Sequence, residues 1–115
     1  MPGPTWISVP DAADALGVRD RDVRQLVRDG RLVTVRSSTG AAGVAREMLD
    51  LAADPPAVVD GLPGTLTLLS DGGMSEAGVV AWLFEHDDEL GEAPIDALRA
   101  GHVHAVRRVA LAQAF

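Results

Sequence analysis

The first part of the chain alternates short apolar stripes at helical spacing with tight glycine turns. In residues 9–16 an apolar side recurs at helical spacing and consists of Val9, Ala12, Ala13 and Leu16. Ser8 has the hydroxyl group of an N-cap, and Pro10 fits the first turn, where its missing N–H needs no partner. Gly17 supplies the left-handed position that ends this helix. We expect Val18 to be the buried residue of the turn.

A second helix is predicted over about residues 20–29, ending at Gly30. Its buried side consists of Val23, Leu26 and Val27, at positions i, i+3 and i+4. Steps of about 100° per residue place Arg21, Gln25 and Arg28 on the opposite side. Arg24 borders the buried stripe on one edge, and Asp22 and Asp29 border it on the other. Arg19 stands at the N-cap position of this helix.

A β-hairpin is predicted after the second helix. Residues 32–36 are β-branched and alternating, and residues 37–40 are typical of a turn. The return strand, residues 41–45, is weak because Ala and Gly are poor strand formers. We therefore expect a short hairpin, followed by a short supporting helix over residues 46–53.

This order of elements is typical of a winged helix-turn-helix, whose second helix can enter the major groove of DNA. Arg21, Gln25 and Arg28 would then read base edges, because arginine pairs with guanine and glutamine with adenine. The residues expected at the DNA backbone are Arg24, Arg31, Arg36, Ser38 and Thr39. An ordinary solvated helix face is the alternative, and spacing alone favours neither.

The second half of the chain is predicted to be all-helical. The prolines after Asp54 mark a boundary between a DNA-binding domain, residues 1–54, and a C-terminal domain, residues 55–115. Leu62, Leu66 and Leu69 share one helical face, although Thr65-Leu66-Thr67-Leu68 alone would also fit a strand. We predict a helix that ends at Asp71-Gly72-Gly73. Further helices are predicted after Ser75, from Pro94 to Gly101, and from Val103 to the end. The fold class is thus mainly α.

Composition limits the function classes. The 115 residues contain no cysteine, which excludes disulfides and thiolate metal sites. The apolar runs are too short to cross a bilayer and the N-terminus lacks a signal peptide, so we expect a cytoplasmic protein without a membrane partner.

The net charge of −7 opposes DNA binding at long range. The charge is uneven: residues 1–54 carry −1, residues 55–115 carry −6, and residues 19–36 carry +3. We therefore expect weak or strongly salt-dependent binding by one copy, because few phosphates would be neutralised. A homodimer would place two reading helices side by side.

Motifs for catalysis, metals or cofactors are lacking. His102 and His104 would diverge by about 200° on a helix and cannot converge on one metal. Residues 61–65 lack the Gly-Lys of a phosphate-binding loop, and residues 87–89 lack the alternating acids and glycine of an EF-hand. We expect a protein that is not an enzyme and has no cofactor or bound metal.

Several sequence blocks carry a family resemblance. They are Leu16-Gly17-Val18, Val23-Arg24-Gln25-Leu26, Gly61-Leu62-Pro63-Gly64, Asp71-Gly72-Gly73, Trp82-Leu83-Phe84 and the terminal Ala112-Gln113-Ala114-Phe115. With them the chain resembles the small actinobacterial DNA-binding proteins whose studied mycobacterial member is a substrate of a membrane serine/threonine protein kinase. The resemblance implies a winged helix-turn-helix that binds double-stranded DNA, with a small helical C-terminal region.

The resemblance also implies transcription regulation and a protein kinase as a partner. The phosphorylated threonine of the mycobacterial member lies in a longer N-terminal tail, so this site is not carried over residue by residue. Thr5 is the nearby candidate for phosphorylation, and added negative charge there would weaken DNA binding by repulsion.

A second function class stays open. The first half is also similar to the excisionase and MerR-like helix-turn-helix group. Residues 82–98 resemble, more faintly, the C-terminal domain of Xre-type antitoxins, which embraces a partner toxin. The alternative function is therefore a protein-interaction module. The plainer interpretation of Trp82 and Phe84 is that they form core.

Overall fold

The computed structural model describes residues 3–114. Within this range the helices are α1 (Val9–Leu16), α2 (Asp20–Arg28), α3 (Leu62–Asp71), α4 (Glu76–Phe84), α5 (Pro94–Arg99) and α6 (Val103–Ala114). The strands are β1 (Trp6–Ser8), β2 (Val35–Arg36), β3 (Ala42–Ala45), β4 (Leu49–Asp50) and β5 (Ala57–Val58). The protein is thus mainly helical with small antiparallel sheets. Phe115, part of the terminal sequence block, lies outside the described residues.

The helix pair α1–α2 begins and turns where the sequence predicts. The Ser8 hydroxyl accepts the backbone N–H of Asp11 at 3.1 Å, and Gly17 has a φ of 71°. The expectation for Val18 was wrong, because its side chain is 42% exposed. Its backbone N–H donates to the Ala13 carbonyl at 3.0 Å, which closes the turn and leaves the side chain at the rim of a surface groove. The turn is closed by backbone hydrogen bonding, while Leu16 supplies the buried side chain.

The predicted hairpin is present and is extended by a third strand. Strands β2 and β3 pair antiparallel, and the Gly40 N–H donates to the Ser37 carbonyl at 2.9 Å to close the turn. Strand β1, which the sequence analysis did not predict, pairs with the other edge of β3, with Ile7 opposite Val44. The sheet order is therefore β1-β3-β2.

The prediction of a short helix over residues 46–53 is wrong. One 3-10 turn, Arg46–Met48, leads directly into β4, which pairs antiparallel with β5. The Asp50 carboxylate accepts the N–H groups of Ala52 and Ala53, each at 3.2 Å. A side chain that binds the backbone in this way competes with helical hydrogen bonding. The β4–β5 pair also places a strand in the region expected to be all-helical.

The C-terminal helices follow the prediction more closely. Residues 62–71 form a helix rather than a strand, and the Ser75 hydroxyl caps α4 by accepting the Gly78 N–H at 3.1 Å. Helix α3 packs along α6, and Leu69 of α3 is fully buried. One continuous apolar cluster joins these residues to Val23 and Met48 of the first half. The division into domains at residue 54 stays a prediction.

No helix within residues 3–114 has both the length and the apolar character that a membrane crossing requires.

Candidate nucleic-acid interface

Helix α2 turns its polar side to solvent. Arg21, Gln25 and Arg28 are exposed, whereas Val23 is fully buried and Leu26 is half-buried. The burial agrees with the orientation derived from the helical period. The role of the exposed side chains at base edges stays a prediction.

Two arginines of this helix have no partner in the part of the protein that the structure describes. Within residues 3–114, Arg21 and Arg24 make no ion pair and no side-chain hydrogen bond. Their guanidinium groups keep all five donors for water or a ligand. They lie in the first half of α2, the part of a recognition helix that contacts bases in helix-turn-helix proteins.

The other polar residues of α2 form a connected row. Arg28 Nη2 donates to Gln25 Oε1 at 2.7 Å, and Gln25 Nε2 donates to Asp29 Oδ1 at 2.7 Å. The amide of Gln25 is therefore occupied at both ends. Asp29, expected at the edge of the buried stripe, turns its carboxylate toward the exposed side. This row orients Gln25 and adds a negative charge at the C-terminal end of the face.

The start of α2 is held by an acidic residue rather than by a conventional N-cap. Arg19 provides no side-chain cap, but its backbone N–H donates to Asp22 Oδ2 at 3.0 Å. This is one of the two bonds of a capping box. It places Arg19 at the entrance of the helix with its guanidinium group left for solvent.

The residues expected at the DNA backbone are exposed. Arg31, Arg36, Ser38 and Thr39 all lie at the surface, the last three on the hairpin. The loop is organised by Ser37, whose hydroxyl accepts the Ala41 N–H at 3.0 Å and the Thr39 N–H at 3.3 Å. Sequence reasoning missed Ser37, although a serine at the start of a turn is the signal for such bonds.

The hairpin is fixed to β1 by a tryptophan. Trp6 Nε1 donates to the Ala41 carbonyl at 3.2 Å, and the indole ring lies against Gly43. A Cβ atom at Gly43 would come within 2.5 Å of Trp6 Nε1 and would also collide with the Ile7 carbonyl oxygen. A glycine inside a strand often marks a close approach of this kind, and that was the available signal.

Thr5, the candidate for phosphorylation, is hydrogen-bonded to Glu47. Its N–H donates to Glu47 Oε1 at 3.0 Å and its hydroxyl to Glu47 Oε2 at 2.7 Å. Burial raises the pKa of Glu47, but the hydrogen bonds from Thr5 and the positive charge of Arg99 outweigh burial and hold this pKa below its ordinary value. The carboxylate is thus charged near neutral pH. Phosphorylation of Thr5 stays a prediction.

Metal ligands are not clustered in the part of the chain that the structure describes, where no three His, Cys, Asp or Glu side chains are placed to hold an ion. His86 and His102 instead lie near single acidic residues, Asp88 at 3.4 Å and Glu92 at 3.8 Å.

Comparison with known proteins identifies the family. The chain is 36% identical to the DNA-binding protein Rv2175c of Mycobacterium tuberculosis (strain ATCC 25618 / H37Rv), over 97% of this chain and 82% of that protein. The chain belongs to the Rv2175c family. Residues 59–114 match the family model described as the Rv2175c C-terminal domain of unknown function. The actinobacterial DNA-binding family named from the sequence blocks is thereby confirmed, whereas the winged helix-turn-helix and the kinase stay predictions.

The fold is shared over the full length of the chain. The NMR structure of Rv2175c superimposes with a TM-score of 0.84 at 32% identity, covering 100% of this chain and 84% of the Rv2175c chain. The α1–α2 pair, the hairpin and the C-terminal helices thus have a solved counterpart in the Rv2175c family.

Proposed function

We propose that this protein binds double-stranded DNA and regulates transcription, with α2 in the major groove and the β2–β3 hairpin as a wing along the phosphate backbone. The observation that carries the proposal is the exposed polar side of α2, where the guanidinium groups of Arg21 and Arg24 make no hydrogen bond or ion pair within residues 3–114. A capped helix and a tight turn precede this face, as in helix-turn-helix proteins. The relative of shared fold is named a DNA-binding protein, which supports the same activity here.

Arg21, Gln25 and Arg28 are the proposed base-reading residues, and Arg28 would have to exchange its bond to Gln25 for bonds to a base. Arg21, near the start of α2, would pair with the two acceptors of a guanine edge. Gln25 reaches an adenine only when its bond to Asp29 is exchanged for bonds to the base. Because that exchange leaves the Asp29 carboxylate beside DNA, we expect Gln25 to contribute less affinity than Arg21.

Phosphate contacts would come from the borders of the face. Arg24, Arg31 and Arg36, with the hydroxyls of Ser38 and Thr39, are exposed around α2 and on the hairpin. Such contacts position the protein and make affinity fall with salt, by about 0.9 logarithmic units per phosphate for each tenfold rise in salt. Because the net charge of −7 opposes the binding of one copy to DNA, we propose that two copies bind together. We also propose that the protein binds DNA without catalysing a reaction.

A kinase belongs to the proposal as a regulator. Thr5 is exposed, although its hydroxyl must first leave Glu47. A phosphate on Thr5 would carry a charge of about −1.5 to −2 and would repel both Glu47 and the DNA backbone.

The test removes one arginine from each half of the protein. Arg21→Ala should weaken binding to a selected DNA site by about 5- to 150-fold, the equivalent of ~1–3 kcal/mol for a bidentate base contact. The thermal midpoint should stay nearly unchanged because the side chain has no protein partner in residues 3–114. Fluorescence anisotropy at two salt concentrations measures the affinity.

Arg108→Ala is the matched control, since it removes the same charge from an exposed position of α6. It should leave DNA affinity close to that of the wild type. Equal affinity of the wild type and of both variants would exclude the α2 face as the DNA-binding surface.

A further inference from the structure

We infer that Arg99, in the C-terminal region, is a positioning residue that holds the hairpin in place for DNA binding. Arg99 belongs to neither α2 nor the hairpin, so it would act through other residues. The inference rests on the proposed function for its consequence on DNA affinity. Its structural part is independent of DNA.

The first link joins α5 to the segment that follows the hairpin. Arg99 Nη1 donates to the Glu47 carbonyl at 2.8 Å and to the Leu49 carbonyl at 2.9 Å, across 52 and 50 residues of sequence. Hydrogen bonds from a charged donor are about twice as strong as neutral ones. Arg99 is the last residue of α5, whose Ile95 and Leu98 are buried in the core. Helix α5 therefore holds the guanidinium group in place, and the guanidinium group fixes the backbone at Glu47 and Leu49.

The second link joins that segment to the start of β1. The Glu47 side chain accepts two hydrogen bonds from Thr5, one at each carboxylate oxygen. The Thr5 carbonyl in turn accepts the Arg46 N–H at 2.9 Å. This bond extends the β1–β3 ladder by one step beyond the pair of Trp6 and Ala45. Thr5 and Glu47 thus close the end of the ladder away from the hairpin turn.

The third link reaches the DNA-facing elements. Strand β3 is paired on its other edge with β2, so the position of β3 determines that of the hairpin. Ser8 ends β1 and caps α1, which packs against α2. A shift at Thr5 would therefore be passed both to the hairpin and to the helix pair.

These three links assign a specific role to the C-terminal domain, residues 59–114, whose family model is described as of unknown function. It would support the base of the sheet through one arginine, in addition to supplying core. Because the links are hydrogen bonds to defined backbone atoms, loss of Arg99 should loosen β1 and the hairpin more than the helices α3 and α6.

The experiment compares Arg99→Ala with Arg108→Ala in the full chain by amide hydrogen exchange without DNA. In Arg99→Ala we expect exchange about tenfold faster at the amides of Arg46, Gly40 and Ala41, with little change in α3 and α6. Arg108→Ala, which loses the same charge, should exchange like the wild type. DNA affinity of Arg99→Ala should fall about fivefold or more at low salt.

A second variant interrupts the same path at its far end. Thr5→Val removes the hydroxyl donor with little change of shape, and it should loosen the same hairpin amides while leaving α5 unchanged. Unchanged hairpin exchange in both variants would overturn the inference. Equal loosening of α3, α6 and the hairpin in Arg99→Ala would also overturn it, because Arg99 would then only add stability.

The two hypotheses can fail separately. A wild type that binds no DNA would defeat the proposed function, while selective loosening of the hairpin would still support Arg99 as a positioning residue. Normal DNA binding by Arg99→Ala, with a loosened hairpin, would overturn the link between hairpin position and affinity.

Discussion

The two halves of this protein divide surface chemistry and core between them. The first half combines seven arginines with eight acidic residues, and it exposes arginine along α2 and the hairpin. The second half has three arginines against nine acidic residues, and it supplies most of the large buried side chains, such as Leu62, Leu83 and Ile95. Within residues 3–114, the half that carries the candidate interface supplies five of the twelve largest fully buried side chains, and the other half supplies seven. The larger core lies beneath a surface that would repel DNA.

The two halves differ in surface charge, but their buried residues are in contact. One apolar cluster runs through both halves, and β4 of the first half pairs with β5 of the second. Arg99 adds two hydrogen bonds across the same junction. We therefore predict that a cavity among the buried residues of the second half also destabilises the first half.

The largest expected effect comes from a cavity in the C-terminal core. Leu69→Ala should lower the free energy of unfolding by ~2–5 kcal/mol, because Leu69 is fully buried. The chain has two tryptophans, Trp6 in the first half and Trp82 in the second. Trp82→Phe and Trp6→Phe backgrounds would each leave one fluorescent probe. In both backgrounds Leu69→Ala should lower the denaturant midpoint by the same amount, each measured against its own background.

Leu111→Ala is the control for this substitution. Leu111 lies on α6 and is 41% exposed, so its loss should change the free energy of unfolding by less than about 0.5 kcal/mol. Should Trp6 report an unshifted transition in Leu69→Ala, the two halves would unfold independently, and the single core would not couple them.

A smaller effect is expected for a methyl group at the base of the hairpin. Gly43→Ala places a Cβ against the Trp6 indole and the Ile7 carbonyl, so Trp6 or β1 must move. We expect a loss of ~1–3 kcal/mol in the free energy of unfolding, typical of overpacking. Loss of the Trp6 hydrogen bond to Ala41 should accelerate exchange of hairpin amides. Stability equal to the wild type would show that this contact tolerates a side chain.

Local signals in the sequence predicted much of the first half. The helix pair, its Ser8 cap and Gly17 turn, and the outward side of α2 depend on residues within a few positions of one another. The error at residues 46–53 arose because consecutive apolar residues, Met48 and Leu49, fit a buried strand as well as a helix. The Asp50 carboxylate accepts the N–H groups of Ala52 and Ala53, and these bonds favour a turn after a strand over a helix.

Long-range contacts could not be predicted in this way. Strand β1 has three residues and no clear alternation, and it pairs with a strand far along the sequence, with Trp6 opposite Ala45. The hydrogen bond from Trp6 to Ala41 likewise spans 35 residues. The two carbonyl groups that accept hydrogen bonds from Arg99 lie 52 and 50 residues earlier in the chain. Nothing in the residues near Arg99 distinguishes it from Arg107 or Arg108. Such pairs require the assembled fold.

The junction between the halves should also be sensitive to acid. The pKa of Glu47 is lowered in the folded protein, so its contribution to stability is present above the ordinary glutamate value of about 4.3 and is lost as pH falls through the lower folded value. Glu47→Gln should remove that part of the acid dependence in thermal melts between neutral pH and pH 3. Glu85→Gln, at an exposed acid, is the control. Identical pH profiles for the wild type and Glu47→Gln would exclude this source of acid sensitivity.

The smallest expected effect is a gain in stability rather than a loss. It comes from Gly64, and it should distinguish this glycine from Gly43. Gly64 lies in α3, where an added Cβ would meet only Arg107 Nη1 at 3.9 Å, an ordinary contact. Gly64→Ala should therefore raise the free energy of unfolding by ~0.4–1 kcal/mol, because alanine restricts the unfolded chain and favours helix. DNA affinity should not change, since α3 belongs to the supporting half. A loss of stability as large as that of Gly43→Ala would mean that the region around Gly64 is packed more tightly than its open surroundings indicate.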